Sequence, residues 1–147
     1  MKSVSDKINE KKLLRILDAN FNRAKEALRV CEDICRFLLD DPKKTAEFKT
    51  LRHRLTSIID TLPLEDLIKS RDIEQDVGKK TFETELQRKD VSDIFYANAQ
   101  RAKESLRVLE EFTKLLNYRR AMDLKKIRYE IYGLEKKVSS LLGTQVP

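Results

Sequence analysis

Ala19-Asn20-Phe21-Asn22-Arg23-Ala24-Lys25-Glu26-Ala27-Leu28-Arg29-Val30-Cys31-Glu32-Asp33 is written twice in this chain. It returns 78 positions later as Ala97-Asn98-Ala99-Gln100-Arg101-Ala102-Lys103-Glu104-Ser105-Leu106-Arg107-Val108-Leu109-Glu110-Glu111. A long period at low copy number indicates a duplicated unit, not a solenoid. Each copy reads as a helix. Leu17, Phe21, Ala24, Leu28, Cys31, Cys35 and Leu38 alternate four and three apart, as do Phe95, Ala99, Ala102, Leu106, Leu109, Thr113 and Leu116. That spacing makes one apolar stripe on a helix. At about 100° per residue, Asn20 falls inside the stripe and Arg23 beside it. Such polar groups need partners if buried. Glu26 and Arg29 point nearly the opposite way and need only solvent.

Outward from the repeat, the rest of the chain falls into helices as well. Asp41-Pro42 supplies a cap and a first-turn proline for a second helix, with Phe48, Leu51, Leu55, Ile58 and Leu62 on one face. Ser5-Asp6 offers an early cap for the first helix, and Asp90 with Asp93 caps the third. A fourth helix carries Leu124, Ile127, Ile131, Leu134, Val138 and Leu141, and Gly143 can close it. Lys49, Leu51, Arg52, His53 and Leu55 in the second helix align with Lys125, Ile127, Arg128, Tyr129 and Ile131 in the fourth. The repeated unit is therefore a helical hairpin. The expected fold is all-α, a bundle of two duplicated hairpins joined by a long crossover loop. Residues 1–12 form a polar extension. Residues 13–147 form one domain, with repeat one at 13–69, the crossover at 70–90 and repeat two at 91–143. The halves are expected to pack about a pseudo-twofold axis, turning Asn20, Arg23, Asn98 and Arg101 toward a common interior.

The chain's 147 residues suffice for a real core, and 40% hydrophobic with 38% charged residues indicates a soluble helical protein. The net charge of +6 is spread among both signs, which suits an anionic ligand and argues against nucleic acid. No apolar run resembles a signal peptide or a membrane span, so the expected location is cytoplasmic. Cys31 and Cys35 sit on the apolar stripe, where packing is the simpler role than metal ligation. Glu26, Arg29 and Glu32, with Glu104, Arg107 and Glu110, read as a solvated ion-pair lattice. There is no Walker loop, kinase catalytic loop or dinucleotide fingerprint.

Two readings stand for Asn20, Arg23, Asn98 and Arg101: a polar set that fixes helix register, or an anion and heterocycle site between the halves. Arg52, His53 and Arg128 are further candidates for substrate or phosphate. The crossover adds Arg71 and Gly78, with Asp72 and Asp76 as catalytic and Mg²⁺-binding carboxylates beside Lys79 and Lys80. The competing reading of that loop is a polar surface connection with a turn at Gly78.

These residues together resemble a known family. Arg15 to Asn20, Arg23, Glu26, Leu28-Arg29-Val30 and Glu32-Asp33 resemble its opening. Leu51-Arg52-His53, Arg71-Asp72, Asp76-Val77-Gly78, Asn98, Arg101, Glu104, Leu106-Arg107-Val108, Glu110-Glu111 and Arg128-Tyr129 continue the likeness. The family is the helical domain often fused ahead of thiamine-phosphate synthase and also found alone. The resemblance spans about Leu14 to Leu142 and implies an ATP-dependent kinase that converts hydroxymethylpyrimidine phosphate to the diphosphate, with Mg²⁺. It does not imply synthesis of thiamine phosphate, because the barrel that performs it is missing from this sequence. The alternative is a non-catalytic helical module that binds a thiamine-pathway enzyme. Partner expectations are the pyrimidine phosphate and ATP, with a homodimer or association with thiamine-phosphate synthase, and no membrane.

Overall fold

The structure, a computed structural model, describes residues 9–64, 66–81 and 86–145. Four α-helices account for most of them: α1 (Glu10–Asp33), α2 (Pro42–Asp60), α3 (Val91–Thr113) and α4 (Tyr118–Gln145). No strand occurs among the described residues. A π-helical turn, Ile34–Leu38, extends α1, and a 3₁₀ turn, Ile68–Ser70, precedes the crossover.

Side-chain caps set the helix starts, because the first backbone N–H groups have no partner within the helix. Asn9 accepts from the amides of Lys11 and Lys12. Asp41 accepts from Lys44 N–H at 2.9 Å, with Pro42 in the first turn. Asp90 accepts from Asp93 N–H at 2.9 Å, while Asp93 accepts from Lys89 N–H at 3.1 Å. Asn117 accepts from Arg119 and Arg120 at the start of α4. The cap expected at Ser5-Asp6 lies outside the described residues. Gly143 does not close α4, which runs on to Gln145. No glycine among the described residues has a positive φ, so Gly143 has no left-handed turn to supply.

α1 packs most extensively on α3, α2 on α1, and α4 on α3, with a lighter contact between α2 and α4. The apolar stripes meet in the middle. Leu17, Ala24, Leu28, Cys31 and Cys35 are buried from α1, and Phe95, Ala99, Ala102, Leu106, Leu109 and Thr113 from α3. The outer helices add Phe48, Leu51, Leu55, Leu124, Ile127, Ile131 and Val138. Each large apolar side chain so buried contributes about 1.5–3 kcal/mol. The Phe48 and Phe95 rings meet edge to face at 6.3 Å, tying α2 to α3. Leu38 and Leu116, the last members of the two expected stripes, are exposed because the α-helices end before them.

Candidate functional site

Asp18 lies on α1 immediately after the buried Leu17, and its side chain is only 8% exposed. A carboxylate in that setting requires donors. Arg71, at the mouth of the crossover, provides a two-point grip. Its Nε donates to Oδ2 at 2.6 Å and its Nη2 to Oδ1 at 3.0 Å. Asn22 donates from Nδ2 to the same Oδ1 at 3.2 Å, and to the Asp18 carbonyl at 2.9 Å. The carboxylate raises the Arg71 pKa further, through its hydrogen bonds first and its charge second, so the guanidinium stays cationic. Its Nη1 has no hydrogen-bond partner among the described residues and remains available to an anion.

This pair borders an open pocket of about 560 Å³ between α1 and the 64–71 segment. Phe21 and Asn22 line it from α1; Leu64, Leu67 and Lys69 line it from the other side. The volume falls in the range of small-molecule sites. An aromatic face, an amide that both donates and accepts, and the Arg71 guanidinium suit a heterocycle bearing an anionic group, with Lys69 at the rim paired to Asp66 at 3.5 Å.

Asp72 and Asp76 follow directly. Asp72 Oδ1 accepts from Gln75 N–H at 3.1 Å, and Asp76 Oδ1 accepts from Gly78 N–H at 2.9 Å. Each closes a local turn with one oxygen and keeps the other free of a hydrogen bond. That donor set fits a Mg²⁺ ion that takes its remaining ligands from water and phosphate. It does not form a closed protein cage: no group of three metal-ligating side chains exists among the described residues. Gly78 shows no positive φ, and a Cβ there would meet Asp76 at an ordinary 3.5 Å, so the turn does not depend on glycine.

The repeated polar residues separate. Asn20 is buried and donates to the Ile16 carbonyl at 2.9 Å. Asn98, half-buried, donates to the Ile94 carbonyl at 2.8 Å. Arg23 and Arg101 are exposed, against the expectation that they turn inward. Their backbones flank the apolar stripe, but a long arginine stem carries its charge out to water. Arg23 reaches only Asn20 Oδ1, at 3.4 Å. Neither arginine has an acidic partner among the described residues, so both remain open to a phosphate.

Arg52 and Arg128 are engaged elsewhere. Glu32 and Glu110 are 3% and 2% exposed, not solvated as expected. Arg128 grips Glu110 through Nε and through Nη2 at 3.1 Å. Arg52 brings only Nη2 to Glu32, at 3.3 and 3.4 Å, leaving its Nε buried without a partner. Arg29 and Arg107 add outer contacts to the same glutamates. His53 is exposed on α2, and its counterpart Tyr129 is exposed on α4.

Three important carboxylates escaped the sequence reading. Glu32 and Glu110 follow Leu28 and Leu106 by four residues, close to the apolar stripe on a helical wheel, and that placement signalled burial. Asp18 precedes Asn22 by the same interval, although nothing local identified Arg71 as its partner.

Among comparisons with known proteins, the model of the ThiD2 family matches residues 15–137. A thiamine-phosphate synthase of Synechocystis sp. is 42% identical over 135 residues, covering 91% of this chain and 37% of that protein. One of Rhodopirellula baltica is 40% identical over 134 residues, covering 88% and 36%. One of Nostoc punctiforme is 39% identical over 132 residues, covering 89% and 36%. The chain thus spans little more than a third of the length of these curated relatives. No solved structure matches it. Among the described residues, no helix is long and apolar enough to cross a membrane. With the family model matching most of its length, the chain belongs to the ThiD2 family.

Proposed function

We propose that the chain is a phosphotransferase of thiamine biosynthesis, passing the γ-phosphoryl group of ATP to hydroxymethylpyrimidine phosphate. The observation that carries this reading is the Arg71 guanidinium, fixed by Asp18 at the edge of a ring-sized pocket and followed at once by Asp72. Likeness to proteins named thiamine-phosphate synthase supplies the pathway.

The pyrimidine ring would lie against Phe21, with Asn22 reading its polar edge. Arg71 and Lys69 would hold its phosphate, and the exposed Arg23 and Arg101 would offset further charge. Asp72 and Asp76 would hold Mg²⁺ through their spare oxygens; the ion would supply charge neutralisation on the ATP phosphates. An oxygen of the acceptor phosphate forms the new bond to the γ-phosphorus, and the bond to the bridging oxygen of ADP breaks. The acceptor is already anionic near neutrality, since the second pKa of a phosphate monoester is about 6. Its attack therefore requires no general base, and positioning with charge neutralisation is the main task left to the protein.

The test is ADP release by the purified chain with ATP-Mg and hydroxymethylpyrimidine phosphate. Arg71→Ala should reduce turnover by about a hundredfold or more, the scale of losing a charge-stabilising contact. No ADP release from the folded wild-type chain would refute the reading. A second reading, an accessory module, draws on exposed Tyr118, Met122, Tyr129 and Tyr132 along α4. Stable association with thiamine-phosphate synthase, lost on replacing these residues and without turnover, would favour it.

A further inference from the structure

Between α2 and α4, sharing no residue with the pocket on α1, lies a second groove of about 560 Å³. Leu51 and Leu134 give it an apolar floor, and the Arg54–Glu130 ion pair spans its two helices.

Three features have no explanation in the packing. First, Glu47 lines the groove, and its Oε2 is buried without a hydrogen-bond partner. A buried carboxylate oxygen requires a donor. Second, Lys43 on α2 and Lys137 on α4 expose ammonium groups that form no ion pair among the described residues. Third, Gly133 sits inside α4 with an ordinary helical φ, and a Cβ added there would meet nothing within 4 Å. Glycine is a poor helix former, and neither backbone nor neighbours call for it here. What it leaves is open space in the groove.

We propose that this groove is a second ligand site, taking an amino-substituted heterocycle that carries phosphate. A rotation of the Glu47 side chain would bring its buried oxygen to the groove surface to accept from the amino group, the flat ring would lie over Leu51 and Leu134 in the space left by Gly133, and the phosphate would sit between Lys43 and Lys137. A nucleoside monophosphate and a phosphorylated aminopyrimidine share that chemistry. The site shares no residue with the proposed catalytic pocket, so its ligand is not turned over there.

The test is an amide-resolved NMR titration of the full chain with AMP, with hydroxymethylpyrimidine phosphate and with inorganic phosphate. At least one of the two heterocyclic ligands should shift amides within 43–54 and 130–137, and the one that does so identifies the source. Gly133→Leu fills the groove and should abolish those shifts while helicity by circular dichroism is kept. Lys137→Ala should raise Kd about tenfold, the scale of one charge-assisted contact. Glu47→Leu should weaken the heterocyclic ligand without weakening inorganic phosphate. If AMP is the ligand, Gly133→Leu should retain wild-type turnover in the coupled assay run without AMP; if hydroxymethylpyrimidine phosphate is the ligand, its shifts within 43–54 and 130–137 should persist in Arg71→Ala, and either result separates this site from the catalytic pocket. The proposal is overturned if neither heterocyclic ligand moves these amides, if Gly133→Leu leaves Kd unchanged, or if inorganic phosphate binds as tightly as they do.

Discussion

Asp18 and Arg71 join two stretches 53 residues apart, and the pair fastens the start of the crossover to α1. Asp18→Asn keeps the shape but removes the charge that holds Arg71. Trypsin should then cleave after Arg71, Lys79 or Lys80 several-fold faster, while cleavage after Arg52 in α2 keeps its rate; equal rates at the crossover would show that the pair does not fasten it. For turnover, Arg23→Ala and Arg101→Ala should cost more than Arg29→Ala and Arg107→Ala. The first pair has no acidic partner among the described residues, whereas Arg29 and Arg107 already serve Glu32, Asp33, Glu110 and Glu111. The reverse ranking in the coupled assay would remove Arg23 and Arg101 from the site. Cys31 and Cys35 are raised from about 9 to about 12, each chiefly by burial, then by Cys35 for the first and Asp41 for the second. The folded state therefore holds these protons more tightly than the unfolded chain. Their stabilising contribution is complete below about pH 9 and is lost as pH rises toward 12. Urea midpoints should fall between pH 8.5 and 10.5 by more in the wild type than in a Cys31→Ala, Cys35→Ala variant, as these roughly chosen conditions bracket the lower end of that window.

At the scale of elements, the two Glu–Arg links show how a helix pair is clipped together. Arg128 meets Glu110 with two nitrogens and Arg52 meets Glu32 with one. Removing either arginine leaves a buried carboxylate with only the outer contact from Arg29 or Arg107, so the loss should stay below the roughly 3–5 kcal/mol of a fully unpaired buried charge. Arg128→Ala should lose more than Arg52→Ala in thermal melts; equal losses would mean that the second nitrogen adds nothing. The crossover allows a cleaner substitution. In Asp72→Asn, Asp76→Asn the amide oxygens can still accept from Gln75 and Gly78, so the turns should survive while the charge is lost. Turnover should fall at least about tenfold and need more Mg²⁺, with melting unchanged; an unaltered Mg²⁺ dependence would make the loop a connection only. The helices and most of their caps were legible because spacing and capping are local. Arg23's solvent exposure was not, since a wheel places Cα atoms and cannot say where a long stem ends.

For the whole molecule, four apolar stripes were enough to read an all-α bundle, but not the pairings that build its pocket. Asp18 and Arg71 meet only because α1 packs beside the end of the first hairpin, a relation that no local pattern contains. The same limit hid the groove between α2 and α4. One further consequence comes from the π-helical turn at Ile34–Leu38. Glu110 follows Glu32 by 78 positions, yet Arg128 follows Arg52 by only 76. The first hairpin therefore carries two more residues between its glutamate and its arginine. The wider π turn, and Asp40 at φ 49° just after it, lie within that interval, whereas α3 passes to α4 without a π turn. Both hairpins nevertheless arrive at the same Glu–Arg contact. The corner between two helices can therefore differ in length by two residues while the Glu–Arg contact beyond it is still made, so length in this molecule is absorbed at the corners and not along the helices.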